Sequence, residues 1–290
     1  MNKSILVVGL NPAWQKILIF KEDVNKGEVN RARDMLTFAS GKGANFAKVA
    51  MRCGNIAMLA QFVGGGTGDM YSSDLNRAGL ILLDQYVKAP TRTCTTLLSS
   101  VFEATELIEP SGKILESEGS ALFAKIEKHS KLCDAFAVCG TYPPGISVNF
   151  YTQIAKLAKE SNKPLLLDSY KGITPVLKVG VEILKINRRE LAALSEDDNV
   201  HRGGMKIIEK YPVKILAVTD GSEKAYLFTD GECSEYPISF VSNVINPIGA
   251  GDTVSAVLFS EYLKGTPICK AFRKALDAGS ESCRHLRLSD

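Results

Sequence analysis

Short, continuous apolar runs recur along this chain and alternate with segments of helical periodicity. The first run is SILVVGL at residues 4–10, and PLLLD and VKILAVT are later examples. A strand that is apolar on both faces is typical of a parallel sheet covered by helices on each side. Between these runs, segments such as GANFAKVAMRCG place apolar residues at helical spacing before a terminating glycine. The alternation predicts an α/β fold with a doubly wound, mostly parallel sheet and helices on both faces.

Two stretches interrupt this alternation, at about residues 11–40 and 88–115. Each contains short strand-like patterns: KILIF and EVNRARDMLTFA in the first, and TRTCTTLLSSVF, TELI and KILE in the second. We predict that the two stretches pair into a small separate sheet, which covers one end of the large sheet as a lid. The expected organisation is a single domain over residues 1–290 with the lid strands inserted into it.

Composition excludes several classes of function. The formal net charge is +3, from 35 Lys and Arg against 32 Asp and Glu, and no polybasic run is present. We therefore expect no nucleic-acid partner. The seven cysteines are scattered and the three histidines lie far apart, which disfavours a disulfide framework or a His-based metal centre and favours the cytoplasm. No run approaches the ~18 apolar residues of a membrane span, so no membrane partner is expected.

Five motifs follow predicted strands, which is where ligands bind in doubly wound folds. They are NPAWQ (11–15), SGKGAN (40–45), NRRE (187–190), TDG (219–221) and GAGD (249–252). Three also have structural interpretations: NRRE fits a capping box, TDG a turn, and Asp252 an ordinary helix cap. SGKGAN is not a Walker A loop, because Leu36 replaces the first glycine and Gly43 the Ser/Thr. VGGGTGD does not fit G-x-G-x-x-G, which argues against a nicotinamide-dependent oxidoreductase.

The combination and order of these motifs resemble the ribokinase-like carbohydrate kinases of the pfkB family. NPIGAGD is similar to the C-terminal signature of that family, NRRE to its N-x-x-E element, TDG to its nucleotide loop and SGKGAN to its N-terminal signature. The resemblance covers about residues 5–283. LNPA, GEVNRA, GKGAN, TRTC, TEL and PPG resemble the branch of 1-phosphofructokinase and tagatose-6-phosphate kinase. The resemblance implies a ribokinase-like fold, with ATP as co-substrate and Mg²⁺ as cofactor.

The resemblance also implies a role for each matching residue. Asp252 is expected to be the catalytic base, beside an anion hole formed by Gly249, Ala250 and Gly251. The sugar phosphate is assigned to Gln15, Gly41, Lys42, Asn45 and Arg92. The nucleotide and its phosphates are assigned to Lys185, Asn187, Thr219 and Gly221, and Mg²⁺ to Glu190 and Asn187.

These residue types suit phosphoryl transfer, which requires positioning and charge neutralisation more than covalent chemistry. A carboxylate can accept the proton of the attacking hydroxyl, and a helix N-terminus can stabilise the charge on the transferred group. A guanidinium such as that of Arg92 binds phosphate bidentately, and Lys42 adds a point charge. In the alternative interpretation, Arg92 and Lys42 are only solvated charges of the lid.

Several positions depart from the pattern of the sugar-phosphate branch. The departures are Gln15 for aspartate, Ser40 for glycine, Ile108 for asparagine, Ile186 for proline and Pro247 for threonine. Glutamine at position 15 removes a charge and adds an N–H donor near the expected sugar site. The catalytic and phosphate positions match while the sugar-facing positions differ, so the resemblance supports the kinase activity more firmly than the identity of the sugar.

We therefore expect an ATP-dependent kinase of a ketohexose phosphate, of fructose 1-phosphate or tagatose 6-phosphate type, that forms a homodimer through the lid. Two alternatives remain open. One is a kinase of an unphosphorylated sugar or a nucleoside, and the other is a non-catalytic sugar-phosphate sensor on the same fold. Assays with phosphorylated and unphosphorylated acceptors distinguish the first alternative from the expected function. Any turnover excludes the second alternative.

Overall fold

The computed structural model of the protein describes residues 2–99 and 104–287, and these residues form a large sheet, a small sheet and flanking helices. The strands in chain order are β1 (Ser4–Val8), β2 (Ala13–Ile19), β3 (Asp34–Ser40), β4 (Ile56–Val63), β5 (Ile81–Tyr86), β6 (Arg92–Leu98), β7 (Thr105–Ile108), β8 (Ala135–Cys139), β9 (Leu165–Asp168), β10 (Val181–Asn187), β11 (Val213–Asp220), β12 (Lys224–Thr229) and β13 (Glu232–Pro237). The helices are α1 (Lys42–Arg52), α2 (Gly65–Arg77), α3 (Glu116–Ser130), α4 (Val148–Glu160), α5 (Thr174–Val179), α6 (Arg188–Ser195), α7 (Val200–Lys210), α8 (Ala250–Leu263) and α9 (Ile268–Ser282).

The large sheet has the strand order β13-β12-β11-β10-β9-β8-β1-β4-β5. All pairs from β11 to β5 are parallel, whereas β12 and β13 add an antiparallel edge. The chain leaves β1 first towards β4 and β5, and later returns through β8 to build the other half. The order therefore reverses between β1 and β8, and such a switch point opens a crevice at the carboxyl ends of the strands.

Strand β1 shows why the predicted strands are continuously apolar. Leu6 and Val8 belong to the apolar cluster on one face of the sheet, and Ile5 and Val7 belong to the cluster on the other. All four side chains are fully buried. Helices α3 to α7 pack on the first face, and α1, α2, α8 and α9 on the second. The predicted doubly wound sheet with helices on both faces is confirmed. No helix within the described part of the chain is both long and apolar enough to cross a membrane.

The small sheet is built from the two predicted insertions, in the order β3-β2-β6-β7. Strand β2 pairs with β3 antiparallel and with β6 parallel, and β6 pairs with β7 antiparallel. The strand expected in EVNRARDMLTFA begins only at Asp34. The strand expected in KILE is wrong, because this segment leads into α3 at Glu116. The end of TRTCTTLLSSVF, at residues 100–102, lies outside the described residues.

Two glycines set how closely α1 approaches the large sheet. A Cβ added at Gly43 would lie 2.5 Å from the Cα of Gly9, and a Cβ at Gly9 would lie 2.7 Å from the Cα of Gly43. Backbone atoms at such a distance cannot give way as the end of a side chain can. The N-terminus of α1 can therefore rest on the carboxyl end of β1 only because both positions lack side chains.

We expect Gly43→Ala to lower the free energy of unfolding by at least ~1–3 kcal/mol, the usual effect of overpacking a core. The matched control is Gly66→Ala, because Gly66 is likewise the second residue of its helix but has nothing within 4 Å of an added Cβ. Alanine favours a helix over glycine, so the control should be neutral or slightly stabilised. Urea denaturation with unchanged m-values measures both effects. Equal stabilities of the two variants would contradict the close approach.

Candidate active site

Helix α8 begins at the crevice, with Gly249 at its N-cap in the left-handed region at φ 87°. Glycine adopts this conformation without the penalty that a Cβ imposes. No side chain caps the helix, and Asp252 is its third residue with 7% of its surface exposed. The interpretation of Asp252 as a helix cap is therefore wrong. Its carboxylate is buried in the crevice, and its partner lies on another element.

Asp252 is held by a side chain of α1. The side-chain N–H of Asn45 donates to Oδ2 of Asp252 at 2.7 Å. Burial raises the pKa of Asp252 to about 6, and the charge of Asp168 adds to the rise, whereas Lys42, Asn45 and Lys185 oppose it. A base that titrates close to neutral pH is well matched to accepting a proton from a hydroxyl group.

Asp168, at the end of β9, is a candidate functional residue that the sequence motifs did not identify. Its carboxylate is 1% exposed, and Lys42 Nζ lies 2.5 Å from its Oδ1. On Oδ2, Ser255 donates a hydrogen bond at 2.5 Å and Lys185 Nζ lies 3.9 Å away. Burial alone would raise the pKa of Asp168, but the two ammonium groups and the hydrogen bonds from Lys42 and Ser255 hold it below its usual range. The available signal was the aspartate that ends PLLLD, at the carboxyl end of a predicted parallel strand.

Lys42 is the first residue of α1, where a positive charge opposes the helix dipole. Two carboxylates compensate: Asp168 at 2.5 Å, and Oε1 of Glu190 at 4.0 Å. Burial lowers the pKa of Lys42, but the charges of Asp168, Asp252 and Glu190 outweigh burial and raise the pKa above its usual range. The ammonium group therefore stays charged inside the crevice. Its ion pair with Asp168 distinguishes it from a solvated surface charge.

Asn187 and Glu190 form the capping box that their spacing predicts. Asn187 Oδ1 accepts from the backbone N–H of Glu190 at 2.9 Å, and Glu190 Oε2 accepts from the backbone N–H of Asn187 at 2.8 Å. The other carboxylate oxygen of Glu190 is the one that lies 4.0 Å from Lys42 Nζ. The structural interpretation of NRRE is thus confirmed, and it leaves one oxygen of Glu190 directed towards the crevice.

The residues predicted to bind the nucleotide lie next to one another. Asn187 and Thr219 are partners on adjacent parallel strands, and Gly221 follows in the left-handed region at φ 59°. Lys185 reaches the first turn of α8, because a Cβ added at Gly251 would lie 2.9 Å from its Nζ. First-turn amides of a helix have no carbonyl partner within that helix, so they are available to an anion. One amide of the predicted anion hole already has a partner, because the backbone N–H of Ala250 donates to the carbonyl of Pro247 at 3.3 Å.

A cavity of about 190 Å³ opens beside these groups at the switch point of the sheet. Gly41, Lys42, Arg92 and Glu190 all contribute to its wall. The Nε of Arg92 is buried and has no hydrogen-bond partner among the described residues. A buried donor without a partner is costly, and a guanidinium is best satisfied by an anionic oxygen. The wall of the cavity therefore includes a guanidinium group that is suited to binding an anion.

Two residues predicted to face the sugar have other partners. Gln15, on β2, is 4% exposed and donates to Oγ1 of Thr96 at 2.7 Å. Asn45 is bound to Asp252, and its oxygen accepts from Ser40 at 3.3 Å. Neither Gln15 nor Asn45 belongs to the wall of the cavity. The structure thus brings Gly41, Lys42 and Arg92 together around the cavity, and places Gln15 inside the small sheet.

The donor groups of the crevice fit a magnesium ion that is shared with a nucleotide. No set of three or more His, Cys, Asp or Glu side chains in residues 2–99 and 104–287 is arranged to hold a metal ion alone. Mg²⁺ is typically bound by one or two carboxylates together with water and substrate phosphates. Glu190 offers one carboxylate oxygen, Oε1, which lies outside the capping box.

Comparison with solved structures shows the same fold in several kinases. Phosphofructokinase-2 from Escherichia coli, solved in complex with fructose-6-phosphate, is 21% identical, with a TM-score of 0.86 over 97% of this chain and 94% of that chain. Its tetrameric inhibited form has the same identity, score and coverage. A possible 1-phosphofructokinase from Thermotoga maritima is 18% identical, with a TM-score of 0.86 over 98% of this chain and 93% of that chain.

A sequence-family comparison covers almost the whole protein. The family described as pfkB family carbohydrate kinase matches residues 3–289. That span includes both sheets, the crevice and each residue of the site described above. This family agrees with the ribokinase-like fold and with the order of the motifs, and it identifies the protein as a carbohydrate kinase. ATP is the co-substrate that the family implies. The chain belongs to the pfkB family of carbohydrate kinases.

Proposed function

We propose that this kinase transfers the γ-phosphoryl group of ATP to a hydroxyl of a ketohexose phosphate, of fructose 1-phosphate or tagatose 6-phosphate type. The observation that carries the proposal is the guanidinium group of Arg92, a residue of the cavity wall whose buried Nε has no hydrogen-bond partner among the described residues. An unphosphorylated sugar would leave this guanidinium group without a charged partner, whereas a phosphate group would provide one. Lys42, in the same wall, adds a second positive charge.

Asp252 is proposed to act as the general base. Its carboxylate accepts the proton of the acceptor hydroxyl while the hydroxyl oxygen bonds to the γ-phosphorus, and the bond from that phosphorus to the bridging oxygen of ADP breaks. Asn45 orients the carboxylate through its 2.7 Å hydrogen bond. The first-turn amides of α8 and the ammonium groups of Lys42 and Lys185 stabilise the negative charge of the transferred group.

Glu190 is proposed to hold Mg²⁺ through the oxygen that is free of the capping box, with Asn187 beside it. The ion, when bound, neutralises the charge of the nucleotide phosphates. The chain itself supplies the remaining charge balance. Lys185 lies against Gly251 at the start of α8, and Thr219 and Gly221 border the same region on β11 and the turn that follows it.

The small sheet is proposed to serve as the lid of a single kinase domain and as the surface of a homodimer. Arg92 begins β6 of this sheet, so a movement of the sheet would carry Arg92 to or from the cavity. Met35, Leu107 and Ile108 lie on its strands with 55%, 55% and 56% of their surface exposed. A second copy would cover apolar side chains of this size.

The protein is proposed to be located in the cytoplasm. The cysteines of the described chain are unpaired, which supports this location.

A panel of acceptors with ATP and Mg²⁺, read by ADP release, tests the proposed substrate class. The panel contains fructose 1-phosphate, fructose 6-phosphate, tagatose 6-phosphate, the corresponding free sugars and nucleosides. We expect turnover with one or more ketohexose phosphates and a much lower kcat/KM for every unphosphorylated acceptor. Preference for a free sugar or a nucleoside would overturn the proposed substrate, and absence of any turnover would favour the sensor.

Asp252→Asn should lower kcat by about 10²–10⁴, the usual contribution of a general base. The amide has nearly the same shape but cannot accept a proton, so the affinity for ATP, measured by calorimetry, should change little. Asp197→Asn is the control, because Asp197 pairs with Arg202 and Lys206 away from the cavity. Near-normal turnover of Asp252→Asn would remove Asp252 from the mechanism.

Arg92→Ala should raise KM for the sugar phosphate and leave KM for ATP nearly unchanged. Loss of a charge-assisted contact of about 1.5–3 kcal/mol corresponds to a rise of roughly 10- to 150-fold. Arg77→Ala is the matched control, because Arg77 is exposed at the end of α2 and pairs only with Asp74 among the residues described. Equal rises in both KM values would indicate a folding defect instead of a lost phosphate contact.

The activity should depend on pH through Asp252. The base must be unprotonated, and its pKa in the free protein is raised to about 6, so kcat/KM should be flat between about pH 7 and 8 and fall about tenfold per unit well below pH 6. A carboxyl in an ordinary environment would lose activity only near pH 4. Steady-state rates at acceptor concentrations well below KM, with stability checked at each pH, measure the profile. A profile that is flat down to pH 5 would contradict the raised pKa of the base.

A further inference from the structure

Ser40 stands where the sugar-phosphate branch has a glycine, and its hydroxyl belongs to a chain of hydrogen bonds that ends at Asp252. Ser40 Oγ donates to Oδ1 of Asn45 at 3.3 Å, and Asn45 Nδ2 donates to Oδ2 of Asp252 at 2.7 Å. The three side chains are buried, with 6%, 6% and 7% of their surface exposed. None of the roles proposed above requires a hydroxyl at position 40.

The local backbone brings Ser40 and Asn45 together. Ser40 is the last residue of β3 and pairs with Ala13 of β2, which holds it in the small sheet. Gly41 then turns the chain at φ 102°, and the backbone N–H of Asn45 donates to the backbone carbonyl of Gly41 at 2.9 Å in the first turn of α1. The helix thereby returns Asn45 to the side of Ser40. The contact follows from the junction between β3 and α1.

A carboxylate can only accept hydrogen bonds, whereas a primary amide has a donor end and an acceptor end of nearly the same shape. Asn45 therefore stabilises ionised Asp252 only when its NH₂ group faces the carboxylate. The opposite orientation would direct an oxygen at an oxygen. A hydroxyl that donates to the oxygen of Asn45 favours the productive orientation and satisfies the buried acceptor.

We propose that Ser40 is a positioning residue, which fixes the side-chain amide of Asn45 so that its N–H faces the carboxylate of Asp252. The inference rests on the proposed role of Asp252 as the base and assigns a task to a residue at which this chain departs from the sugar-phosphate branch. Because Ser40 belongs to β3, it also connects the small sheet to the base.

The direction of the expected effect follows from the groups around Asp252. Lys42 on α1, Asp168 on β9, Lys185 on β10 and the buried thiol of Cys139 on β8 face it. Ser40 is uncharged, so its replacement leaves all of these charges in place. A hydrogen bond to the ionised form lowers the pKa of a carboxyl group, so a less well oriented Asn45 raises the pKa of Asp252.

The first experiment measures this titration without any substrate. The protein is labelled with ¹³C at the aspartate carboxyl groups, and the signal of Asp252 is assigned by its absence in Asp252→Asn. We expect Ser40→Ala to raise the pKa of Asp252 by about half a pH unit, a part of the free energy of one hydrogen bond. Ser40→Thr, which keeps the hydroxyl, should titrate as the natural protein does.

The second experiment measures turnover. Ser40→Ala should lower kcat about three- to tenfold at pH 8 through poorer orientation of the base, with an unchanged KM for ATP. Between pH 8 and pH 6 its activity relative to the natural protein should fall by a further factor of about two. Ser130→Ala is the matched control, because Ser130 is 5% exposed and donates to Glu127 O at the end of α3, remote from the crevice.

Each outcome decides the inference. An unchanged titration in Ser40→Ala, an altered one in Ser40→Thr, or the same shift in Ser130→Ala overturns it. If Ser40→Ala does not fold, Ser40→Cys decides, because a thiol is a weaker donor of similar size and should give a smaller shift in the same direction. If the titration shifts as expected but no acceptor is phosphorylated, the proposed function fails and the inference about Ser40 stands.

Discussion

The burial of two carboxylates in one crevice is the constraint on which the rest of the site depends. Asp168 and Asp252 are 1% and 7% exposed, and an unpaired, buried charge on either carboxylate would be strongly destabilising. The protein compensates Asp168 with Lys42, Lys185 and Ser255, whereas Asp252 receives one amide from Asn45. The two pKa values therefore move in opposite directions, which suits Asp168 to remain an anion and Asp252 to the proposed role of general base.

This arrangement requires segments that are far apart in the chain to meet at one edge of a sheet. Lys42 comes from the start of α1, Asp168 from the end of β9, Lys185 from β10 and Asp252 from the start of α8. The reversal of strand order between β1 and β8 opens the space, and the contact between Gly9 and Gly43 lets α1 reach it. A change in the position of α1 would move Lys42 and Asn45 together, so the packing of this helix also sets the geometry of the proposed site.

The small sheet contributes two residues to the site. Arg92 at the start of β6 reaches the cavity, and Ser40 at the end of β3 reaches Asn45. The proposed lid would thus carry both the donor for the phosphate of the substrate and the residue that orients the partner of the base. Gln15 lies in the same sheet but donates to Thr96 instead of lining the cavity. The glutamine that replaces the family aspartate thus has a partner inside the small sheet.

The sequence by itself determined the alternation of strands and helices, the two insertions, the capping box at Asn187 and the family, because these depend on residues close together in the chain. It also located Asp252 through a local motif. Only the tertiary structure decided that Asp168 binds Lys42, that Asn45 donates a hydrogen bond to Asp252, and that Gln15 donates one to Thr96. Residues 126 and 207 positions apart form the first two contacts. Such contacts follow from strand order and from the approach of α1 to the sheet, which hydrophobic periodicity does not encode.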